Sequence, residues 1–137
     1  MKNKKEKGAV DSLIFTLVSV IALFVMLYAL IPNIKLMQTK SQVNQIAREY
    51  ILILETRGCL TTQEISDFKT SMEAIPGITV GNMTGTSTAE VAYGDPVTLC
   101  FKYTYKMENI SVTNLFSPDK TYQDLNFSYS KTSISKK

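Results

Sequence analysis

Histidine is absent from the 137 residues, and the two cysteines, Cys59 and Cys100, stand far apart in the chain. Without histidine, His-based catalytic arrangements and the commonest nitrogen ligands for zinc are excluded. Two distant cysteines do not make a metal-ligand set. The six glycines are isolated at turn-like positions, so the chain has no glycine-rich loop to cradle a phosphate. Glu64, Asp67 and Glu73 recur at helix spacing and read as a solvated helix face. No active site is legible, and the expectation is of no enzyme activity, no cofactor and no metal.

Charge of one sign is scarce everywhere except at the start. Lys2, Lys4, Lys5 and Lys7 against Glu6 account for the whole net charge of +3, and the remaining basic and acidic side chains cancel. A nucleic-acid surface is therefore not expected. A basic segment directly before a long apolar run is first a topology signal.

From Leu13 to Ile31 nineteen residues carry no charge, with Thr16 and Ser19 as hydroxyl interruptions. As a helix the run rises about 28 Å, close to the ~30 Å hydrocarbon core of a bilayer. It exceeds the ~7–15 residues of an ordinary signal-peptide core, and no small-x-small pair precedes Pro32, so retention as an anchor is expected. Four lysines before the span, with only Lys35 and Lys40 soon after it, place the N-terminus in the cytoplasm and everything beyond Pro32 outside. The expected division is a basic cytoplasmic leader over 1–11, a transmembrane helix over 12–32, and an extracytoplasmic domain over 33–137. Asp11 and Ser12 stand where a helix N-cap is wanted, which predicts a helix start there. Pro32 removes one backbone hydrogen bond and predicts a kink.

Beyond Pro32, Leu36, Val43, Ile46, Ala47, Tyr50 and Leu54 recur at three- and four-residue steps, while Lys40, Asn44, Arg48 and Glu55 lie elsewhere around the helix. This amphipathic helix ends at Arg57 and Gly58, a basic residue and a left-handed turn former. Thr61 to Glu64 fits a capping box ahead of a short helix with Ile65, Phe68 and Met72 on one stripe, stopped by Pro76 and Gly77. Strands follow: a short one at 78–80, a weak alternating run at 88–93, and a strong one at 94–107. In the strong one Val97, Leu99, Phe101, Tyr103, Tyr105 and Met107 share one face, and Thr98, Cys100, Lys102, Thr104 and Lys106 the other. Residues 114–120 read as a turn, and Leu125, Phe127 and Tyr129 mark a last strand. The fold class is α+β, with a small, mainly antiparallel sheet covered by the long helix.

Cys59 and Cys100 are both expected outside the cytoplasm, where a disulfide persists. A bond between them would staple the helices to the sheet, yet Cys100 falls on the polar strand face, away from the helix, and that directs the thiols apart. Both alternatives stay open on sequence.

A few basic residues, a glycine, one apolar span running into a long amphipathic helix, and a small strand-rich C-terminal domain together resemble a type IV pilin or pseudopilin. The segments 57–80, 94–107 and 125–135 are most similar in order to the TadE-like minor pseudopilins and related small proteins of Gram-positive pilus-like and conjugation gene clusters. The resemblance implies cleavage by a prepilin-type leader peptidase between Gly8 and Ala9, and partners in other pilin-like subunits and a membrane assembly platform. Those families usually carry a glutamate five residues after the cut, where this chain has Leu13. Asp11 is its only nearby acid and the candidate assembly contact. The expected function is a non-catalytic minor pilin or pseudopilin subunit of a secretion, adhesion or conjugation apparatus, in contact with membrane lipid. The alternative is a single-pass membrane protein with an external ligand- or partner-binding domain outside any filament.

Overall fold

The computed structural model describes residues 2–111 and 119–137, with side chains for 10–109 and 120–137. Five elements follow in order: α1 (Lys2–Arg57), α2 (Thr62–Glu73), β1 (Ile78–Val80), β2 (Pro96–Ser111) and β3 (Asp119–Ile134). The three strands form one antiparallel sheet in the order β1-β2-β3. A long helix, a short helix and a small antiparallel sheet packed together make an α+β fold.

α1 is a single helix of 56 residues with Pro32 inside it, about 84 Å long at 1.5 Å per residue. It starts at Lys2, so Asp11 and Ser12 are interior helical residues and the cap expected there does not form. The reason is that nothing between Lys2 and Ser12 breaks a helix. Gly8 is the one weak former, at a cost of about 1 kcal/mol relative to alanine. At the other end Gly58 adopts φ +77°, and its N–H donates to the Leu54 carbonyl at 2.7 Å. A Cβ at Gly58 would also stand 2.7 Å from the Val91 carbonyl oxygen, so this stop tolerates no side chain.

α2 begins with the capping box the sequence predicts: Thr61 Oγ1 accepts from Glu64 N–H, and the Glu64 carboxylate accepts from Thr61 N–H at 2.8 Å. Arg57 reaches the same carboxylate at 2.5 Å and ties the two helices together. Those contacts, the backbone N–H of Thr61 first, hold the Glu64 carboxyl below its ordinary range.

The sheet lies on α1 by one face. Val97, Leu99, Phe101, Tyr103 and Tyr105 are buried, with Leu99 and Phe101 fully so, while Lys102 and Lys106 on the other face are exposed. Phe68 of α2 meets Tyr50 of α1 and Phe101 of β2 edge-on, at ring centroid distances of 5.0 and 4.8 Å. Tyr129 stacks on the Phe101 ring at 4.9 Å, and Phe127 on Tyr103 at 5.3 Å. These pairs join all the layers, each contributing about 0.5–1.5 kcal/mol beyond its buried area.

Three details depart from the sequence expectation. Residues 88–93 form no strand. The free edge of β2 is instead paired past β1 by the stretch 81–87, where Gly81 N–H donates to Lys102 O, Ser87 N–H to Thr98 O, and Thr86 Oγ1 bridges the backbone of Cys100. The β2–β3 ladder is longer than its apolar residues suggest, because polar pairs such as Glu108↔Tyr122 and Asn109↔Thr121 continue it. Asp119 and Lys120 therefore belong to β3, and the rest of the expected turn lies outside the described residues. Finally, Glu55 is buried.

Candidate functional site

Two regions carry what the fold leaves over once its core is made: the uncovered half of α1, and the two ends of the domain built on the other half.

In the first half of α1 large apolar side chains stand out from the helix with no part of the chain against them. Leu13 is 68% exposed, Phe15 74% and Met26 69%. The helix is long and apolar enough to cross a membrane. Two hydroxyls inside the apolar run are satisfied by the helix itself, Thr16 Oγ1 donating to Ser12 O and Ser19 Oγ to Phe15 O, each at 2.8 Å. A helix that meets its own polar groups in this way is what a hydrocarbon environment requires. Asp11 is exposed at the start of this half. Gly8 and Ala9 are in helical backbone, and their side chains lie outside the described residues. Pro32 has no N–H to give the preceding turn, and Asn33 Nδ2 leans toward Ala29 O at 3.4 Å beside it.

From Thr39 onward the helix is the spine of the domain. Thr39, Val43, Ala47, Ile51 and Glu55 are buried at steps of four, with Leu54 beside them, while Leu36, Ile46 and Tyr50 flank the seam half-covered. Glu55 is the residue that sequence reading placed away from the packed face. Its carboxylate accepts from Ser133 Oγ and from Lys136 Nζ, both at 2.5 Å, and its carbonyl accepts from Lys136 N–H at 2.6 Å. The Lys136 ammonium first, then the Ser133 hydroxyl, hold the Glu55 carboxyl below its ordinary range. One side chain of α1 thus fastens the end of β3. The signal was present in the four-residue spacing from Ala47 and Ile51, but partners some eighty residues later cannot be read from a helical pattern. Lys137 pairs with Glu90 in the same neighbourhood.

Cys59 and Cys100 are both free, half-buried thiols. Cys59 sits in the turn after Gly58, whereas Cys100 faces outward from β2 toward the Gly85 backbone and Thr86.

At the opposite end of the domain an open groove of about 440 Å³ lies between Pro32, Lys35 and Thr39 of α1, the Ile75–Gly77 turn, Tyr105 to Glu108 of β2, and Tyr122. Gly77 makes this wall: at φ +83° its carbonyl accepts from Lys106 N–H at 2.8 Å, and a Cβ there would stand 3.1 Å from the Lys106 carbonyl oxygen. Lys120 pairs with Glu108 at 2.6 Å, which holds the Glu108 carboxyl below its ordinary range. Among the described residues no group of acids and cysteines is gathered as a metal site. No family model, curated protein or solved structure matches the chain.

Proposed function

We propose that the protein is a non-catalytic, membrane-anchored subunit of pilin type: a minor pilin or pseudopilin of a Tad-like secretion, adhesion or conjugation apparatus. In this reading its N-terminus is cytoplasmic and its domain external. The observation that carries it is α1 itself, one unbroken helix whose first half is apolar and uncovered and whose second half is the core of an α+β domain. An ordinary anchor needs only a span and a tether. A helix shared between membrane and core holds the domain at a set height and orientation above its own span, which suits repeated stacking of identical or related subunits. The lysine excess before the span supports the orientation.

Asp11 is the side chain through which subunits would recognise one another, its carboxylate pairing with the new N-terminal amine of a neighbour after removal of residues 1–8. In a partly desolvated setting such a pair is far stronger than in water. The mass of the natural N-terminus tests the reading directly, since a mature chain beginning at Ala9 supports a processed pilin and an intact leader opposes it. Asp11→Asn should then lose co-purification with the apparatus while the domain still folds and inserts. The second reading, an anchored external binding domain, is favoured by the groove beside Pro32 and goes with an unprocessed N-terminus.

A further inference from the structure

The groove beside Pro32 holds chemistry that subunit assembly leaves unused. β2 starts near Glu55 and runs back along α1, so its residues Lys106 to Glu108 arrive next to Lys35, where the uncovered apolar half of the helix ends. The ladder continues past the groove through Asn109↔Thr121, Ile110↔Lys120 and Ser111↔Asp119. Three further residues add about 10 Å to the hairpin in that direction.

Two basic side chains at this end, Lys35 and Lys106, belong to no ion pair among the described residues. Lys106 Nζ rests over the Tyr122 ring, 4.9 Å from its centroid, and Tyr122 is 58% exposed. The acids there are Glu108, paired with Lys120 and also within electrostatic reach of Lys35, Asp124, opposite Lys106 in the ladder, and Asp119, on the last rung. The headgroup layer of a bilayer extends roughly 5–7 Å beyond the hydrocarbon, and Lys35, about 6 Å along the helix from Ile31, falls within it. Lysine stems and a tyrosine ring suit a layer that is wet on one side and apolar on the other.

We propose that this end of the domain is a lipid contact, in which Lys35 and Lys106 take the phosphate of an anionic phospholipid in the leaflet where α1 emerges and Tyr122 lies among the headgroups. The occupant is lipid because the groove opens directly at the junction with the apolar run. The inference rests on the reading of α1 as a span.

The test uses the full chain in nanodiscs with the native cysteines replaced (Cys59→Ser, Cys100→Ser) and a fluorophore at Gln123→Cys, or at Ala89→Cys near the opposite end as control. Headgroup-nitroxide lipids should quench the probe at position 123 strongly and that at 89 weakly, and the difference should grow with the phosphatidylglycerol fraction. Each lysine at an anionic surface strengthens such a contact about fivefold, so Lys35→Gln with Lys106→Gln should weaken it roughly 30-fold and bring position 123 toward the control. Equal quenching at 123 and 89, or quenching at 123 that ignores both lipid charge and the lysine changes, would overturn the lipid contact while leaving the span intact. A chain that does not enter the discs at all would remove the span and this contact with it.

Discussion

Phe101 is where the two helices and the sheet meet, and its truncation is the sharpest test of how the domain is held together. The ring is fully buried, with Phe68 edge-on at 4.8 Å, Tyr129 stacked at 4.9 Å and Tyr103 tilted at 5.9 Å. Phe101→Ala removes a phenyl group whose loss in a core costs about 3–5 kcal/mol, counting the cavity that the neighbours fail to close. Two aromatic partners with good geometry put the expected value in the upper half of that range, about 4 kcal/mol. For a domain whose total stability is expected near ~5–15 kcal/mol, that is a large fraction. At roughly 4–8 °C per kcal/mol for a domain of this size, the midpoint should fall by about 15–30 °C. The assay is thermal unfolding of the full chain in detergent, followed by near-ultraviolet circular dichroism of the tyrosines. Lys102→Ala, one residue along and exposed on the other face, should change stability by no more than ~0.5 kcal/mol. Comparable losses from both substitutions would mean that the strand does not present this face to α1.

Further outcomes can be checked alongside. Because the Glu55 carboxyl is held below its ordinary value of 4.5, the stability it contributes is fully present above that value and is lost as pH falls through the lower folded value. Unfolding followed from pH 7 down to 3 should show this loss, and Glu55→Gln should be less stable at pH 7 with a shallower acid slope. Gly77→Ala combines a left-handed backbone with a 3.1 Å approach to the Lys106 carbonyl, and should cost at least ~1–2 kcal/mol by chemical denaturation. Alkylation of the unfolded chain without reductant should add two adducts, at Cys59 and Cys100; mass spectra with none would show the thiols bonded.

Where the sequence carried a strong local signal, the structure follows it. Alternation from Val97 to Met107 assigned each side chain of β2 to its face, and the Thr61–Glu64 box and Gly58 marked helix ends through bonds made within a few residues. What escaped was decided at long range. Glu55 is polar, and only Ser133 and Lys136 give it reason to be inside. Residues 88–93 alternate well enough for a strand, but the β2 edge they needed is taken by 81–87, whose Gly, Asn and Thr residues look like a loop. The cap expected at Asp11 failed for another reason: a good cap residue starts a helix only where the residues before it do not continue one. Around the candidate sites, Asp11 and the apolar run were visible from spacing alone. The groove beside Pro32 was not, since it is assembled from four separated segments.

Because α1 belongs at once to the apolar run and to the core, the domain has no slack. A flexible linker would let the outer domain wander while the span stayed put, and would absorb any force applied to either. Here one residue inserted into the helix between the apolar run and the core would shift the domain by about 1.5 Å and turn it by about 100°. Whatever pulls or rotates the apolar half is therefore transmitted as a lift and a twist, and the Glu55 fastening carries that motion to the far end of β3.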